Sequence, residues 1–218
     1  MADGGMVPYV VRSGDHLLKI ALKMGFDANA VWQDPKNAAL RALRPSMHVL
    51  CVGDVLYVPK QLPPQWMPLK VGSRNPFHAK VPTVKIALKV VLEGKPLASE
   101  KCKLQELPDL GDLTTTSDGT LRLEVPVATE AVTVEFTSVD LILPLRIGHL
   151  DPVSEPTGVY QRLTNLGCVF GEPGDIGTPD AQSLREPLAE FQLEAGTKDA
   201  TGDLNDDARS KLKSAYGC

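Results

Sequence analysis

The residues best suited to proton transfer or metal binding are four histidines, and they are scattered: His16, His48, His78 and His149. A zinc site needs three or four ligands at short, recognisable spacings, and the chain has neither an HExxH nor a CxxC pattern. Cys51 lies near His48, but it sits beside an apolar strand pattern, and a thiol there reads as a buried, inert cysteine rather than a nucleophile. No GxSxG or phosphate-binding glycine loop is present. Carboxylates are plentiful, 27 in all. Glycoside hydrolysis, however, needs two of them facing each other across a cleft, and no segment is large enough to hold a polymer between such a pair. They read as solvated faces and helix caps. The expectation is a non-enzyme, with no catalytic residue, no metal site and no cofactor.

Composition narrows the partners. A net charge of −4 over 218 residues disfavours nucleic acid and anionic membrane, both of which call for a basic patch. Aromatic residues make up 5% of the chain, too few for a wide stacking platform. Residues 1–10 lack the basic start and apolar run of a signal peptide, and no apolar run reaches spanning length. The four cysteines, Cys51, Cys102, Cys168 and Cys218, share no short spacing. They read as free thiols in a reducing compartment, or else as one cross-domain disulfide. The expected site of synthesis is the cytoplasm.

The elements that would position any site follow from periodicity. Tyr9, Val10 and Val11 favour a strand, which Gly14-Asp15 breaks, with Asp15 placed to cap a helix. Leu17, Ile20, Ala21 and Met24 form one apolar stripe at helical spacing, closed by Gly25. Asp34-Pro35 opens a second helix that runs to Arg44, and Val55–Val58 reads as a strand antiparallel to the first. This gives a first domain over residues 1–60. Residues 61–82 hold Pro63, Pro64, Pro68, Pro76 and Pro82, with Trp66, Met67 and Phe77 among them. That composition suits a stiff connector, either docked by its aromatics or exposed as a partner-binding strap.

The period changes to two at Val84. Val84, Ile86, Leu88, Val90 and Leu92 alternate with Lys85, Ala87, Lys89, Val91 and Glu93, as in one strand with a single buried face. Ile86, Leu88 and Val90 should therefore face inward, with Lys85 and Lys89 outward. Further short strands, with turns at Glu93-Gly94 and Asp118-Gly119, predict a small β-sandwich over residues 83–150. From residue 151 the period is helical. One template repeats three times: Val159, Leu163, Leu166; Leu184, Leu188, Phe191; Ala208, Leu212, Ala215. Thr178-Pro179 and Asn205-Asp206-Asp207 supply helix starts. A three-helix bundle over residues 151–218 is expected, with Leu163, Leu166, Leu184, Leu188, Phe191 and Leu212 in its core. The fold class is multidomain α+β.

Three local resemblances sharpen this. Tyr9–Leu17 and Val52–Pro59 resemble the two ends of a LysM module, a βααβ unit that binds N-acetylglucosamine-containing glycans; His16 stands where that family usually has threonine. Gly94-Lys95-Pro96-Leu97 with Thr116-Ser117-Asp118-Gly119 resembles transthyretin-like modules, which act as spacers or interaction surfaces. Residues 158–167, the glycines at 171, 174 and 177, Phe191-Gln192 and residues 201–204 resemble the three-helix peptidoglycan-binding domain. Pro173-Gly174 replaces that family's Asp-Gly, and Pro187 falls inside the second helix, where it would kink or break it. In this order, the modules resemble small proteins found with type VI secretion spike components.

The resemblances imply glycan-contacting residues: Gly14, Asp15, His16 and Leu17 in the first loop, Val49 and Leu50 before the last strand of the first module, and Arg162 and Gln192 in the helical domain. His16 reads either as a hydrogen-bonding partner of an N-acetyl group or as an exposed first-turn residue. The implied function is non-enzymatic binding of peptidoglycan glycan strands, with a secretion-spike protein as further partner and delivery across the envelope by a contractile injection system. The rival reading is a structural adaptor or cargo protein of the spike whose modules bind protein. A cell-wall hydrolase is a third and more distant reading.

Overall fold

The computed structural model describes residues 5–44, 46–60, 68–76, 81–169 and 179–216. It is a mixed α+β structure of several small antiparallel sheets and short helices, with three separate apolar cores. Trp66, Met67, Phe77 and His78, on which the connector and strap readings turn, lie outside the described residues.

The first core is closed by strand β1 (Met6–Val10) and strand β2 (Val55–Pro59), paired antiparallel with Val10 opposite Val55. Between them run helices α1 (Leu17–Met24), α2 (Ala28–Gln33) and α3 (Ala38–Leu43), with a 3-10 turn at Pro35–Asn37. The stripe of α1 is buried at Leu17, Ile20 and Ala21, and Gly25 ends it in the left-handed region. Two expectations are corrected here. Asp15 does not cap α1. His16 occupies the cap position, and the Asp15 carboxylate instead closes the preceding turn, accepting from Tyr9 Oη (2.7 Å) and the Arg12 N–H (3.0 Å). The sequence reading also passed over α2, which Asp27 caps by accepting from the Ala30 N–H. Asp34 caps the 3-10 turn before α3 as expected. Buried Asn37 ties the helices to β2: its amide donates to the Val31 and Tyr57 carbonyls and accepts from the Tyr57 N–H. Each polar group is therefore satisfied where burial would otherwise be costly.

The second core lies between two antiparallel layers. Strand β3 (Thr83–Lys89) pairs with β8 (Thr120–Pro126). Strands β6 (Lys101–Leu104), β7 (Leu113–Thr114), β9 (Ala131–Phe136) and β10 (Leu141–Arg146) form a four-stranded sheet in the order β10-β9-β6-β7. A small hairpin of β4 (Val91–Leu92) and β5 (Lys95–Pro96) turns at Glu93-Gly94. The register of β3 is as the alternation predicts. Ile86 and Leu88 pack on the core, Val90 is buried, and Lys85 and Lys89 are exposed.

The third core is built by α4 (Pro156–Asn165), α5 (Ala181–Glu194) and α6 (Asp206–Tyr216) around Val159, Leu163, Leu184, Leu188, Phe191 and Leu212. Asn205 caps α6 by accepting from the Ala208 N–H. Three details depart from the sequence reading. Leu166 is 37% exposed, because α4 stops at Asn165 and Leu166 is its capping residue. The start of α5 is Asp180, which accepts from the Ser183 N–H; Thr178 lies outside the described residues. Pro187 does not break α5. The carbonyl that its missing N–H leaves unpaired belongs to exposed Ser183, where water can satisfy it. Truncation of Leu166 should therefore be nearly silent: Leu166→Ala is expected to change stability by less than about 1 kcal/mol, measured by denaturant unfolding.

Candidate functional site

The three cores meet along one seam, and that seam contains the loop singled out for glycan contact. Lys19 Nζ reaches Glu130 Oε1 at 2.8 Å. Arg44 Nη1 reaches Glu155 Oε1 at 2.8 Å and Ser154 Oγ at 3.1 Å. Ser13 Oγ lies 3.4 Å from His149 Nδ1. The backbones touch at two glycines with positive φ. A Cβ on Gly148 would stand 2.9 Å from the Gly14 carbonyl, and one on Gly14 would stand 3.0 Å from His149 Nε2. Both positions thus demand glycine twice over, for the left-handed backbone and for the close approach.

Much of the predicted contact set is buried, His16 by this docking and Leu17 by the first unit's own core. His16 is 4% exposed and Leu17 fully buried. His16 was expected at the surface under either reading; instead its ring packs against the position of Gly148, beside the Val127 backbone. Its Nδ1 has no partner among the described residues. Burial, reinforced by the nearby charges of His48 and Lys19, lowers its pKa to about 4, because the imidazolium would be held in a poorly solvated place. Leu17 belongs to the first apolar core. Val49 is half-buried.

The two candidates in the helical unit are structural. Arg162 is 1% exposed and donates from Nη1 to the Asp151 and Gly158 carbonyls, with its guanidinium 5.4 Å from the centre of the Tyr216 ring. Gln192 is buried and bridges Asp203 O and the Gly202 N–H. Neither offers surface to a ligand.

What remains open at the seam is a polar cleft of about 170 Å³. Gly14 and Asp15 border it from the first unit; Leu50 touches its wall but is 5% exposed and belongs, like Leu17, to the first apolar core. The sequence reading missed the groups that join them: Arg12 from the same loop, Arg146 and His149 from the end of the β-unit, and Asp151 and Gln161 from the start of the helical unit. Gln161 Oε1 accepts from the Asp151 N–H at 2.7 Å, which fixes that corner. His149 is held below its usual pKa by burial first and by the Arg146 charge second. The one available signal was Gly148-His149-Leu150-Asp151-Pro152, a polar run opened by a glycine and closed by a proline between two different periodicities. A second hollow, of about 270 Å³, lies between α5 and residues 202–204.

Thiol chemistry finds no support at the seam. Burial and the nearby Asp151 carboxylate push the Cys51 thiol up, away from the thiolate a nucleophile needs. Cys51, Cys102 and Cys168 are free thiols; Cys218 lies outside the described residues. Among the described residues, no helix is long and apolar enough to cross a membrane.

No protein-family model, no curated protein and no solved structure matches this chain.

Proposed function

We propose that the chain is a non-enzymatic accessory protein that binds peptidoglycan glycan strands and works with the spike of a type VI or related contractile injection system, which carries it from the cytoplasm across the envelope. The observation that carries this reading is the seam cleft. Gly14 and Asp15, named as glycan contacts by the LysM resemblance, border a polar hollow together with hydrogen-bonding side chains of two other units, while Leu50 backs it from the buried first core. The order β1, helices, β2 also agrees with a LysM-like unit, and α4–α6 agree with a peptidoglycan-binding-like bundle. A saccharide presents many hydroxyls, and a hollow lined by arginine, carboxylate and amide groups can donate to and accept from them.

The adaptor reading has its own observation. His16 and Leu17 are already occupied by intramolecular contacts, and Arg44 and Lys19 are spent on the seam. A pull-down on purified peptidoglycan sacculi separates the two. The pure protein is expected to be retained at moderate salt; failure to bind leaves the adaptor. Fractionation of cells with and without an intact contractile sheath tests the route. The protein should leave the cytoplasm only when the sheath is intact.

A further inference from the structure

Strands β3 and β10 of the β-unit each pair on one side only among the described residues, and their open sides differ. On β10, Pro144 stands opposite Thr133. The Thr133 N–H and C=O bond away from it, to the Glu106 carboxylate and the Gln105 N–H. Opposed residues of an antiparallel ladder either bond each other or both face away. Pro144 therefore faces the open side, where it has no donor and blunts the edge. Strand β3 has no such block. The Pro82 carbonyl accepts from the Val127 N–H and the Val90 N–H donates to Gly119, so the even-numbered positions bond toward β8. The backbone groups of Thr83, Lys85, Ala87 and Lys89 point to the open side, without a partner among the described residues. Side chains mark the same edge. Leu121, Leu123 and Val125 on β8 are at most 2% exposed, whereas Val84, Ile86 and Leu88 opposite them are only half-buried. The outer face of this strand pair carries Lys85, Lys89 and Arg122 against one carboxylate, Glu124, which accepts from Thr83 Oγ1 at 2.6 Å. Neither lysine has an ion-pair partner among the described residues.

We propose that β3 is a docking edge for an extended segment of a partner protein, acidic on one face and aliphatic on the other. The segment adds as a further strand, antiparallel because that pairing is the more stable. Its main chain bonds the open positions of Thr83, Lys85, Ala87 and Lys89. Its acids fall opposite Lys85 and Lys89, and its aliphatic side chains extend the cover over Val84, Ile86 and Leu88. A second copy is disfavoured, since two-fold pairing of β3 with itself gathers four lysines on one face. Edge lysines guard against such self-pairing, and the same charge selects an acidic strand. The edge shares no residue with the seam cleft and does not depend on glycan binding.

The probe is a labelled peptide with capped ends, Glu-Val-Thr-Val-Glu-Val-Thr, whose acids fall opposite Lys89 and Lys85 in that register. A counterpart with lysine for glutamate is the control. Both are titrated into the whole protein and followed by fluorescence anisotropy and NMR. The acidic peptide is expected to bind about 10-fold more tightly than the basic one, with shift changes along Thr83–Lys89. Lys85→Glu combined with Lys89→Glu should reverse the preference. Ala87→Pro should abolish binding and keep the thermal midpoint, because the N–H it removes faces the open side. If that variant fails to fold, methylated peptides report on the unaltered protein. A methyl on the central threonine amide should abolish binding, and one on a neighbouring valine amide should spare it. No binding of the acidic peptide, equal binding of both, shift changes confined to other strands, or binding that survives the threonine methyl would overturn the proposal. So would a wild-type dimer, seen by sedimentation, that Ala87→Pro dissociates, since the edge would then belong to a second copy.

Discussion

Arg44→Ala is expected to cost about 3–5 kcal/mol, the range found when one partner of a buried ion pair is removed. Arg44 lies at the centre of the seam and is 5% exposed. Its Nε and Nη2 meet the two carboxylate oxygens of Asp54 at 3.0 and 3.1 Å, a bidentate pair. Asp54 is itself 9% exposed and also accepts from the Cys51 N–H at 2.8 Å. Nη1 of the same guanidinium crosses to Glu155 and Ser154. Loss of the arginine strands a buried carboxylate in the first unit and cuts the link to the helical unit. Arg44→Lys should recover only part of the loss, because an ammonium cannot span two carboxylates with a planar fork. Glu155→Gln should cost below about 1 kcal/mol, since Glu155 is 35% exposed in its side chain and its pairing is screened. Denaturant unfolding read separately for each unit provides the measurement. An unchanged midpoint in Arg44→Ala would show that Asp54 is solvated and the seam is not built around this pair.

The second large effect depends on pH. His16 has a folded pKa of about 4 against its ordinary 6.5. Above pH 6.5 the ring is neutral in both folded and unfolded chains and contributes no pH dependence. As pH falls from 6.5 to 4, the unfolded chain takes up a proton that the folded chain refuses, so stability falls. Below pH 4 both forms are protonated and the loss levels off. The full loss is about 3 kcal/mol. The groups facing the ring do not reverse the sign: Lys19 and His48 oppose its protonation, and the charge of Asp15 and the Val127 backbone favour it less strongly. Because His16 packs where the β-unit covers the Gly14 loop, the loss should appear as opening of the seam in acid. Thermal midpoints of the wild type and His16→Gln, taken from pH 7.5 to 4, would isolate the effect. Exposed acids such as Glu130 titrate in both proteins, so only the difference reports His16. Parallel curves would exclude a buried neutral imidazole at this position.

Much of the local structure was legible. The alternation read from Val84 to Leu92 gave the register of β3 because a strand with one buried face permits only one phase. The strand ends at Lys89, however, and Leu92, beyond it in a separate hairpin, is exposed. Gly25, Asp34-Pro35 and Asn205 marked helix ends because caps act over three or four residues. The misses share a physical cause. Asp15 looked like a cap, yet its carboxylate bonded backward to Tyr9 and Arg12, a choice that spacing alone does not reveal. Leu166 fitted the template at i+7, but the helix had ended one residue earlier. α2 is only Ala28–Gln33, too short to show a full apolar period.

The candidate site divides in the same way. The sequence by itself determined the α+β make-up and most of the core residues. The tertiary structure alone decided which of the predicted contacts face solvent and which other side chains join them. Arg44 and Glu155 are 111 positions apart, and Ser13 and His149 are 136 apart. Periodicity and capping describe neighbours in the chain, so they carry no information about which two surfaces dock. That is settled by shape at Gly14 and Gly148 and by charge pairs that form only once the units have folded.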